Sequence, residues 1–269
     1  MDSDVDQIKK GAGYRTEIES ACSEREACIQ ARTFLKGYRT KTQPVMMKCA
    51  DGERYIVKGR HAGRQIVNDQ IIARLGIALG APVGIPRLID IPEELIEIEP
   101  RLSHIPSGLA HGTLFIPNCF NDTDLIATSE PDNRMRLVHL AILYSWVIPG
   151  DWQFLFDNSP PRLIHSVDHG HFFPNGPNWR LKDLMKAPPP CLPDCFSACD
   201  FTKKELSEGL ETLSSITLRQ IIEAVASPPD EWALTIEERE QLVQYLVHRQ
   251  NVLPQIFLGA NPGLKENYG

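Results

Sequence analysis

The chain has 269 residues, of which 42% are hydrophobic and 23% charged, an ordinary composition for a globular protein with a sizeable core. Its net charge of −7, without any long basic stretch, argues against a nucleic-acid partner, and no apolar run reaches the roughly 18–20 residues that span a bilayer. The N-terminal sequence MDSDVDQIKK lacks the basic and apolar regions of a signal peptide, so we expect a cytoplasmic protein without a membrane partner, and a monomer by default.

The first third of the chain predicts one helix followed by several strands. Residues 16–36 are rich in Glu, Ala and Arg and predict a helix. Residues 44–60 contain two short apolar runs, VMMKC and RYIVKG, on either side of Asp-Gly, which is a strong hairpin signal. Residues 64–80 have the apolar spacing of an amphipathic helix that ends at Gly80. The sequences GIPRLIDI and ELIEIEP predict two further strands.

The rest of the chain predicts mainly helices. Residues 105–120 look irregular, and residues 132–147 predict an apolar helix with Asp132 as its N-cap. Further helices are predicted over 201–225 and 234–249, where Thr202 and Thr235 precede acidic residues. The runs QFLFD and RLIHSV, joined by NSPP, predict a second hairpin.

These elements predict an α+β fold with a small β-rich N-terminal lobe and a mostly helical C-terminal lobe. We expect an N-terminal helical extension over residues 1–36, a β-rich N-lobe over 37–102 and a mostly helical C-lobe over 103–269.

Four residues in chain order could carry chemistry. Lys58 ends the strand RYIVKG, and Asp69 lies on the next helix, from which it could pair with the lysine and aim its ammonium at a phosphate. Asp151 follows a Pro-Gly turn, and Asp168 follows the second hairpin, which should bring these two carboxylates together. Each residue alone also has a simpler interpretation, such as an edge charge, a solvated helix acid or a turn cap.

Phosphoryl transfer requires this set of residue types. A cation holds the nucleotide phosphates, one acid orients the attacking hydroxyl, and another acid holds Mg²⁺. Kinases place a strand Lys, a helix acid, a catalytic Asp and a metal Asp in this order, and the metal Asp has Gly two positions later. Asp168-His169-Gly170 has that spacing.

The sequence resembles the HipA-like kinases, compact bacterial relatives of the HipA Ser/Thr kinases and of phosphatidylinositol kinases. The resemblance covers about residues 40–175, roughly half of the chain. It is carried by the segments DGERYIVKG, GRQIVNDQIIARLGIALGAPVGIPRLIDI, PEELIEIEP, LYSWVIPGDWQFLFDN and LIHSVDHGHFF.

The resemblance implies a two-lobed protein-kinase-like fold and transfer of phosphate from ATP, with Mg²⁺, to a protein Ser or Thr hydroxyl. It implies that Lys58 contacts the nucleotide phosphates, that Asp69 replaces the helix Glu of the family, that Asp151 is the catalytic Asp and that Asp168 binds Mg²⁺. It also implies a hinge at Glu97, Ile98 and Glu99 that contacts adenine through backbone groups.

The sequence departs from the family pattern at three places. Asp69 is one methylene shorter than the helix Glu of the family, so we expect a looser pair with Lys58. Phe156 stands five positions after Asp151, where a second metal-binding Asn is usual, and Gln153 is the nearest amide that could replace it. No glycine-rich loop is present, so residues 38–52, including Thr40, Thr42 and Gly52, would have to cover the phosphates. These departures leave two alternatives open: a nucleotide-binding pseudokinase, or a kinase acting on a small molecule or lipid headgroup.

The histidines and cysteines allow metal-based alternatives. His169 and His171, with His165 as a third ligand, could form a metal site, and a metal-dependent hydrolase could use them with Asp151 and Asp168, although Lys58 and Asp69 would then have no role. We expect instead that His169 packs beneath Asp168, that His171 is structural, and that Phe172 and Phe173 are core residues. Cys191, Cys195 and Cys199 lack an obvious fourth zinc ligand, and we expect free thiols.

Overall fold

The computed structural model describes residues 13–122, 125 and 128–259. Within these ranges the N-terminal part is rich in strands and the C-terminal part is largely helical, as the sequence predicts. None of the helices in these ranges combines the length and apolar character needed to cross a membrane. All seven cysteines lie within these ranges, and none of them forms a disulfide.

The strands of the N-terminal part close into a barrel instead of forming a simple sheet. They are β1 (Ile29–Gly37), β2 (Val45–Cys49), β3 (Arg54–Lys58), β4 (Pro86–Ile91) and β5 (Gly108–Leu114). Around the barrel the order is β1-β2-β3-β5-β4, and the closing pair, β1 with β4, is parallel while the other pairs are antiparallel. The barrel interior is a separate cluster of buried side chains that includes Val45, Met47, Val57, Ile89 and Ala110.

The hairpin predicted around Asp-Gly is confirmed by strands β2 and β3. Val45 pairs with Val57 at one end and Lys48 with Arg54 at the other. Gly52 has a φ of +86°, a conformation that glycine adopts at no steric cost, and Asp51 accepts a hydrogen bond from the backbone N–H of Glu53. The tight turn thereby sets the register that places Lys58 at the opposite end of the hairpin.

The helix predicted over residues 16–36 is wrong in its second half. Helix α1 covers Arg15–Ser23, and residues from Ile29 onward form β1. Two register irregularities in the pairing of β1 with β2 interrupt the alternation of buried and exposed side chains. Because a strand is recognised from that alternation, the Ala- and Arg-rich composition suggested a helix instead. The predicted domain boundaries stay a prediction.

Two further predictions fail before the helical part begins. The sequence ELIEIEP was expected to be a strand, but α3 covers Glu93–Ile98. Pro92 precedes its first turn, and Glu93 and Glu94 lie within it, where acidic residues stabilise the positive end of a helix. The segment 105–120, expected to be irregular, contains β5, which pairs with β3 on one side and β4 on the other.

The C-terminal part combines a small antiparallel sheet with helices. The sheet consists of β6 (Cys119–Asp122), β7 (Gln153–Asp157) and β8 (Ile164–Val167) in that order, and its β7–β8 pairing confirms the second predicted hairpin. The helices are α4 (Pro131–Val147), α5 (Leu181–Met185), α6 (Lys203–Ser215), α7 (Leu218–Ala226) and α8 (Ile236–Gly259).

The starts of these helices follow capping chemistry. The side chain of Thr202 accepts a hydrogen bond from the N–H of Glu205, and the Glu205 carboxylate bonds back to the N–H of Thr202. Thr235 and Glu238 form the same reciprocal pair at the start of α8, so both predicted signals are confirmed. Asp132, however, is not a cap: it lies in the first turn of α4, which starts at Pro131.

Helix α2 (Gln65–Ala78) confirms the predicted helix, but it is not amphipathic, because it packs against both parts of the molecule and is buried on nearly every side. Its apolar side chains, such as Ile71 and Leu75, join the large core formed by α4 and the C-terminal helices. Asn68, Asp69 and Gln70, at successive positions around this helix, are buried although polar. Because helix α2 is covered by protein on nearly every side, its polar side chains are held in fixed positions.

Candidate active site

The centre of the site is Lys58, at the last position of β3. Only 6% of its surface is exposed, and its register partner on β5 is His111. The ammonium nitrogen Nζ donates hydrogen bonds to Oδ2 of Asp69 at 2.9 Å and to Oδ1 of Asp168 at 2.5 Å. Burial alone would lower the pKa of Lys58, but the two carboxylates outweigh it and raise that pKa above its ordinary value. Lys58 is therefore a fixed, fully charged cation.

Asp69 is the buried partner of this lysine, and the pairing that the sequence suggested is present. Burial alone would raise the pKa of Asp69, yet the charge of Lys58 outweighs it and keeps that pKa below its ordinary value. His111, which is also buried here, has a pKa lowered by burial to about 4 and is neutral at pH 7. The pair thus lies in a water-poor environment in which the ion pair is strong and its loss is costly.

Asp151 and Asp168 flank the same end of the β7–β8 hairpin. Gln153 pairs with Val167, so Asp151 lies two residues before one strand and Asp168 one residue after the other. Burial and the neighbouring carboxylate of Asp168 raise the pKa of Asp151, against the opposing effect of His171. The prediction that the hairpin brings these acids into one region is confirmed.

The loop that carries Asp151 requires glycine for a close backbone approach. A Cβ added at Gly150 would lie 2.2 Å from the carbonyl oxygen of His171, too close for any side chain. The N–H of Phe173 also donates to the carbonyl of Ile148 at 2.9 Å. The Asp151 loop is thereby packed against the segment that follows Asp168.

Asp168 itself has a φ of +62°, in the left-handed region that is uncommon for a residue with a side chain. Its side chain is 44% exposed, so the oxygen not bound to Lys58 can be reached from solvent. A residue with a strained backbone whose carboxylate lies next to a buried cation is typical of a functional position.

Asn68 holds this strained segment in place, a role that the sequence did not reveal. Its amide nitrogen donates to the carbonyls of Gly170 at 2.9 Å and Phe172 at 2.8 Å, and its amide oxygen accepts from Trp179 Nε1 at 3.0 Å. The only sequence signal was a polar residue in an otherwise apolar helix face.

The histidines do not form the metal site considered from the sequence. His169 is buried beneath Asp168, where its Nε2 contacts the Ser166 hydroxyl at 2.8 Å, and burial lowers its pKa to about 4. Phe172 and Phe173 are core residues, as expected. His165 faces Asp157 and Cys119, and these three are the one group of potential metal ligands among the described residues, so Cys191, Cys195 and Cys199 do not form one.

Phe156 is fully buried, so no side chain at this position can serve as the second metal ligand. Its ring stacks on Phe120 with centroids 5.7 Å apart. Gln153, the nearest amide in the sequence, is half-buried at the start of β7, two residues after Asp151. Carboxylate oxygens of Asp168 and Asp151 with an amide oxygen are ligands that Mg²⁺ prefers, so the residues present fit that ion.

The loop between β1 and β2, residues 38–44, approaches the Lys58 end of the barrel. Two histidines hold this loop through its backbone. Nε2 of His61 forms a hydrogen bond with the carbonyl of Thr42 at 2.8 Å, and Nε2 of His104 forms one with the carbonyl of Gln43 at 3.0 Å. Gly52, expected in the same cover, lies at the other end of strand β2, roughly 15 Å away along a five-residue strand. Only the Thr40 and Thr42 part of the predicted cover is therefore near the site.

The hinge expected at Glu97, Ile98 and Glu99 rests on a strand that is absent. Glu97 and Ile98 belong to α3, Ile98 is 78% exposed, and the Glu99 carboxylate pairs with Arg101. The chain instead leaves the barrel after β5 and reaches β6 through residues 115–118, starting with the N–H of Phe115 bonded to the carbonyl of Arg54.

Comparison with known proteins connects this geometry to kinases. Residues 34–154 match the family model of the HipA-like kinases, which confirms the resemblance over this part of the chain and supports a phosphotransferase. No curated protein sequence matches the chain.

The fold is similar to that of a solved kinase structure. The crystal structure of the Helicobacter pylori proinflammatory kinase CtkA is 11% identical, with a TM-score of 0.56, and the match covers 86% of this chain and 97% of that one. A Golgi casein kinase with Mn/ADP bound is 10% identical, with a TM-score of 0.47, over 90% of this chain and 75% of that one. The match to CtkA shows a kinase fold.

Proposed function

We propose that this chain is an ATP-dependent kinase that transfers the γ-phosphate to an alcohol, most simply a Ser or Thr hydroxyl of a protein substrate. The observation that carries the proposal is the position of Lys58, whose buried ammonium joins Asp69 to the exposed Asp168. The match to HipA-like kinases supports the same function. In the proposed two-lobed arrangement, the nucleotide lies between the barrel and the β7–β8 hairpin.

Each residue has a distinct role in this proposal. Lys58, oriented by Asp69, donates hydrogen bonds to phosphate oxygens, and Asp168 with Gln153 would hold Mg²⁺, which neutralises phosphate charge when bound. Asp151 accepts the proton of the acceptor hydroxyl as its oxygen bonds to the γ-phosphorus, while the bond to the bridging oxygen breaks and ADP leaves. The raised pKa of Asp151 makes it a stronger base than an ordinary aspartate.

The binding of adenine is assigned to a different segment from the one first expected. Residues 115–118 connect the barrel with the hairpin sheet, so we propose that their backbone groups contact the base. The loop over residues 38–44, fixed by His61 and His104, is proposed to cover the phosphates with backbone N–H groups.

The test is the Asp168→Asn variant in an assay of phosphate transfer from radiolabelled ATP. We expect transfer to be abolished while circular dichroism and thermal unfolding stay as in the wild type, because the side chain is partly exposed. Wild-type turnover in this variant would refute the assignment.

A pseudokinase that binds nucleotide without transfer is the second candidate. It is favoured by the fully buried Phe156 at the position where a metal-binding Asn is usual. Calorimetry with Mg-ATP followed by the radiolabel assay separates the two, since binding without turnover or autophosphorylation would support the pseudokinase.

A further inference from the structure

A cavity of about 620 Å³ opens beside the Asp151 loop. Gly150, the residue just before Asp151, lines one side of it, and His171 lines another. His171 is also close enough to Asp151 to influence its pKa. The cavity therefore begins where the proposed base must meet its acceptor, and its volume lies in the range of ligand sites.

The charges that line this cavity have one sign. Lys41, from the β1–β2 loop, and Arg64, just before α2, both line it, together with the amide side chains of Gln65 and Asn178. Among its lining residues within the described ranges there is no Asp or Glu. This differs from the whole chain, whose net charge is −7. Glu238, outside the lining, pairs with Arg64, but the lining itself carries only positive charges, and such a cavity in an acidic protein favours an anionic group.

Arg64 carries a hydrogen-bonding group that is not satisfied within the protein. Its guanidinium lies 4.0 Å from the ring centre of Trp179, and its Nη1 donates to Glu238 at 2.6 Å. Its Nη2 is buried and has no hydrogen-bond partner. A buried donor on a charged group without a partner is costly and needs an explanation, and Arg64 also lines the cavity, where an anion would supply an acceptor for the guanidinium.

We infer that this cavity binds an acidic side chain of the protein substrate, so that the kinase selects Ser or Thr hydroxyls accompanied by a carboxylate. This inference rests on the proposed function and specifies its acceptor. Lys41 supplies a mobile charge at the cavity mouth, since it is exposed. Arg64 supplies a positioned guanidinium, whose Nη2 is not engaged by Glu238 and can donate a charge-assisted hydrogen bond to a carboxylate oxygen.

The experiment compares two synthetic peptides that contain one Ser flanked on both sides by Glu or by Gln. We expect the wild type to show a roughly tenfold higher kcat/KM for the Glu peptide, mainly through KM, and the preference to shrink at high salt. The Lys41→Gln and Arg64→Gln variants should each reduce that preference several-fold, whereas Arg64→Lys, which keeps the charge, should retain part of it. Lys204→Gln, an exposed lysine on α6, is the matched control and should retain all of it.

Several outcomes would overturn the inference. The first is an equal kcat/KM for the two peptides, and the second is a preference for the Glu peptide that persists in both Gln variants. The third comes from two small alcohols offered as acceptors: preferential phosphorylation of glycerol 3-phosphate over glycerol, without discrimination between the peptides, would mean that the cavity binds a phosphate group instead. Lys41 is exposed, so its variant decides the matter even where Arg64→Gln fails to fold.

Failure of the proposed function gives a different result. If neither peptide nor either alcohol accepts phosphate, the proposed transfer is refuted, and fluorescence anisotropy of the labelled peptides still tests the cavity. Tighter binding of the Glu peptide, lost in Lys41→Gln, would support the cavity assignment, and equal binding of both peptides would overturn it.

Discussion

The two sides of the candidate site hold their carboxylates in different ways. Asp69 is buried on α2 and fixed by Lys58, whereas Asp151 is exposed on a loop next to an open cavity. The buried side has its charges paired and oriented by the fold itself. The exposed side leaves a carboxylate accessible to a hydroxyl group. If the chain is the kinase proposed above, its phosphate-binding side is preorganised by the fold, while the side that would receive the acceptor hydroxyl is not.

The strongest test of the buried side is Lys58→Met. The substitution leaves Asp69 as an uncompensated buried charge, so we expect it to lower the free energy of unfolding by about 3–5 kcal/mol. Urea denaturation monitored by tryptophan fluorescence measures this change. Lys48→Met is the control, because Lys48 is exposed on β2 of the same barrel and should change stability by no more than about 0.5 kcal/mol. Equal free energies of unfolding for the two variants would contradict the claim that the fold holds the Lys58–Asp69 ion pair in place.

A smaller effect is expected when the support beneath Asp168 is removed. Asn68→Ala deletes three buried hydrogen bonds and should cost about 2–3 kcal/mol, and amide exchange over residues 168–173 should become faster. Asn158→Ala, at an exposed turn, provides the matched amide control. Unchanged exchange in the Asn68 variant would mean that the segment is held by other contacts.

A third effect on stability comes from pH and again belongs to the buried side. His111 and His169 have pKa values lowered by burial to about 4, below the ordinary value of 6.5, so the folded protein binds fewer protons than the unfolded chain between these values. Stability should therefore fall as pH drops from 6.5 toward 4, by up to roughly 1.4 kcal/mol per pH unit for each histidine. Urea midpoints across this range measure the slope.

The control for the pH effect is His169→Gln, which removes one of the two groups. It should reduce the slope by about half while the contribution of His111 remains. A slope that is the same with and without His169 would indicate that this histidine is already protonated in the folded protein.

Much of the buried side could be predicted from the sequence because local signals define it. The Asp-Gly turn predicts the hairpin that ends at Lys58. The apolar spacing of the next segment predicts helix α2, which carries Asp69. The second hairpin likewise places Asp151 near Asp168. These relations depend on turns and periodicity within short stretches, which a single sequence contains.

The remaining features depend on contacts between distant segments, and the sequence could not reveal them. The β1 strand was missed because irregular pairing interrupts its alternation, and β5 because its GLAHGTL sequence has few β-branched residues. Asn68 acts on residues about a hundred positions away, and Lys41 and Arg64 meet at a cavity whose opposite wall is the segment after Asp168. No local pattern encodes such contacts.

The exposed side is tested most directly by the rate of γ-phosphate transfer in the Asp151→Asn variant, measured alongside calorimetric titration with Mg-ATP. Because Asp151 is exposed, the variant should fold normally, retain nucleotide binding at the Lys58 side and lose at least about a hundredfold in transfer rate. Wild-type transfer by this variant would contradict the assignment of Asp151 as the base and with it the proposed division of the site.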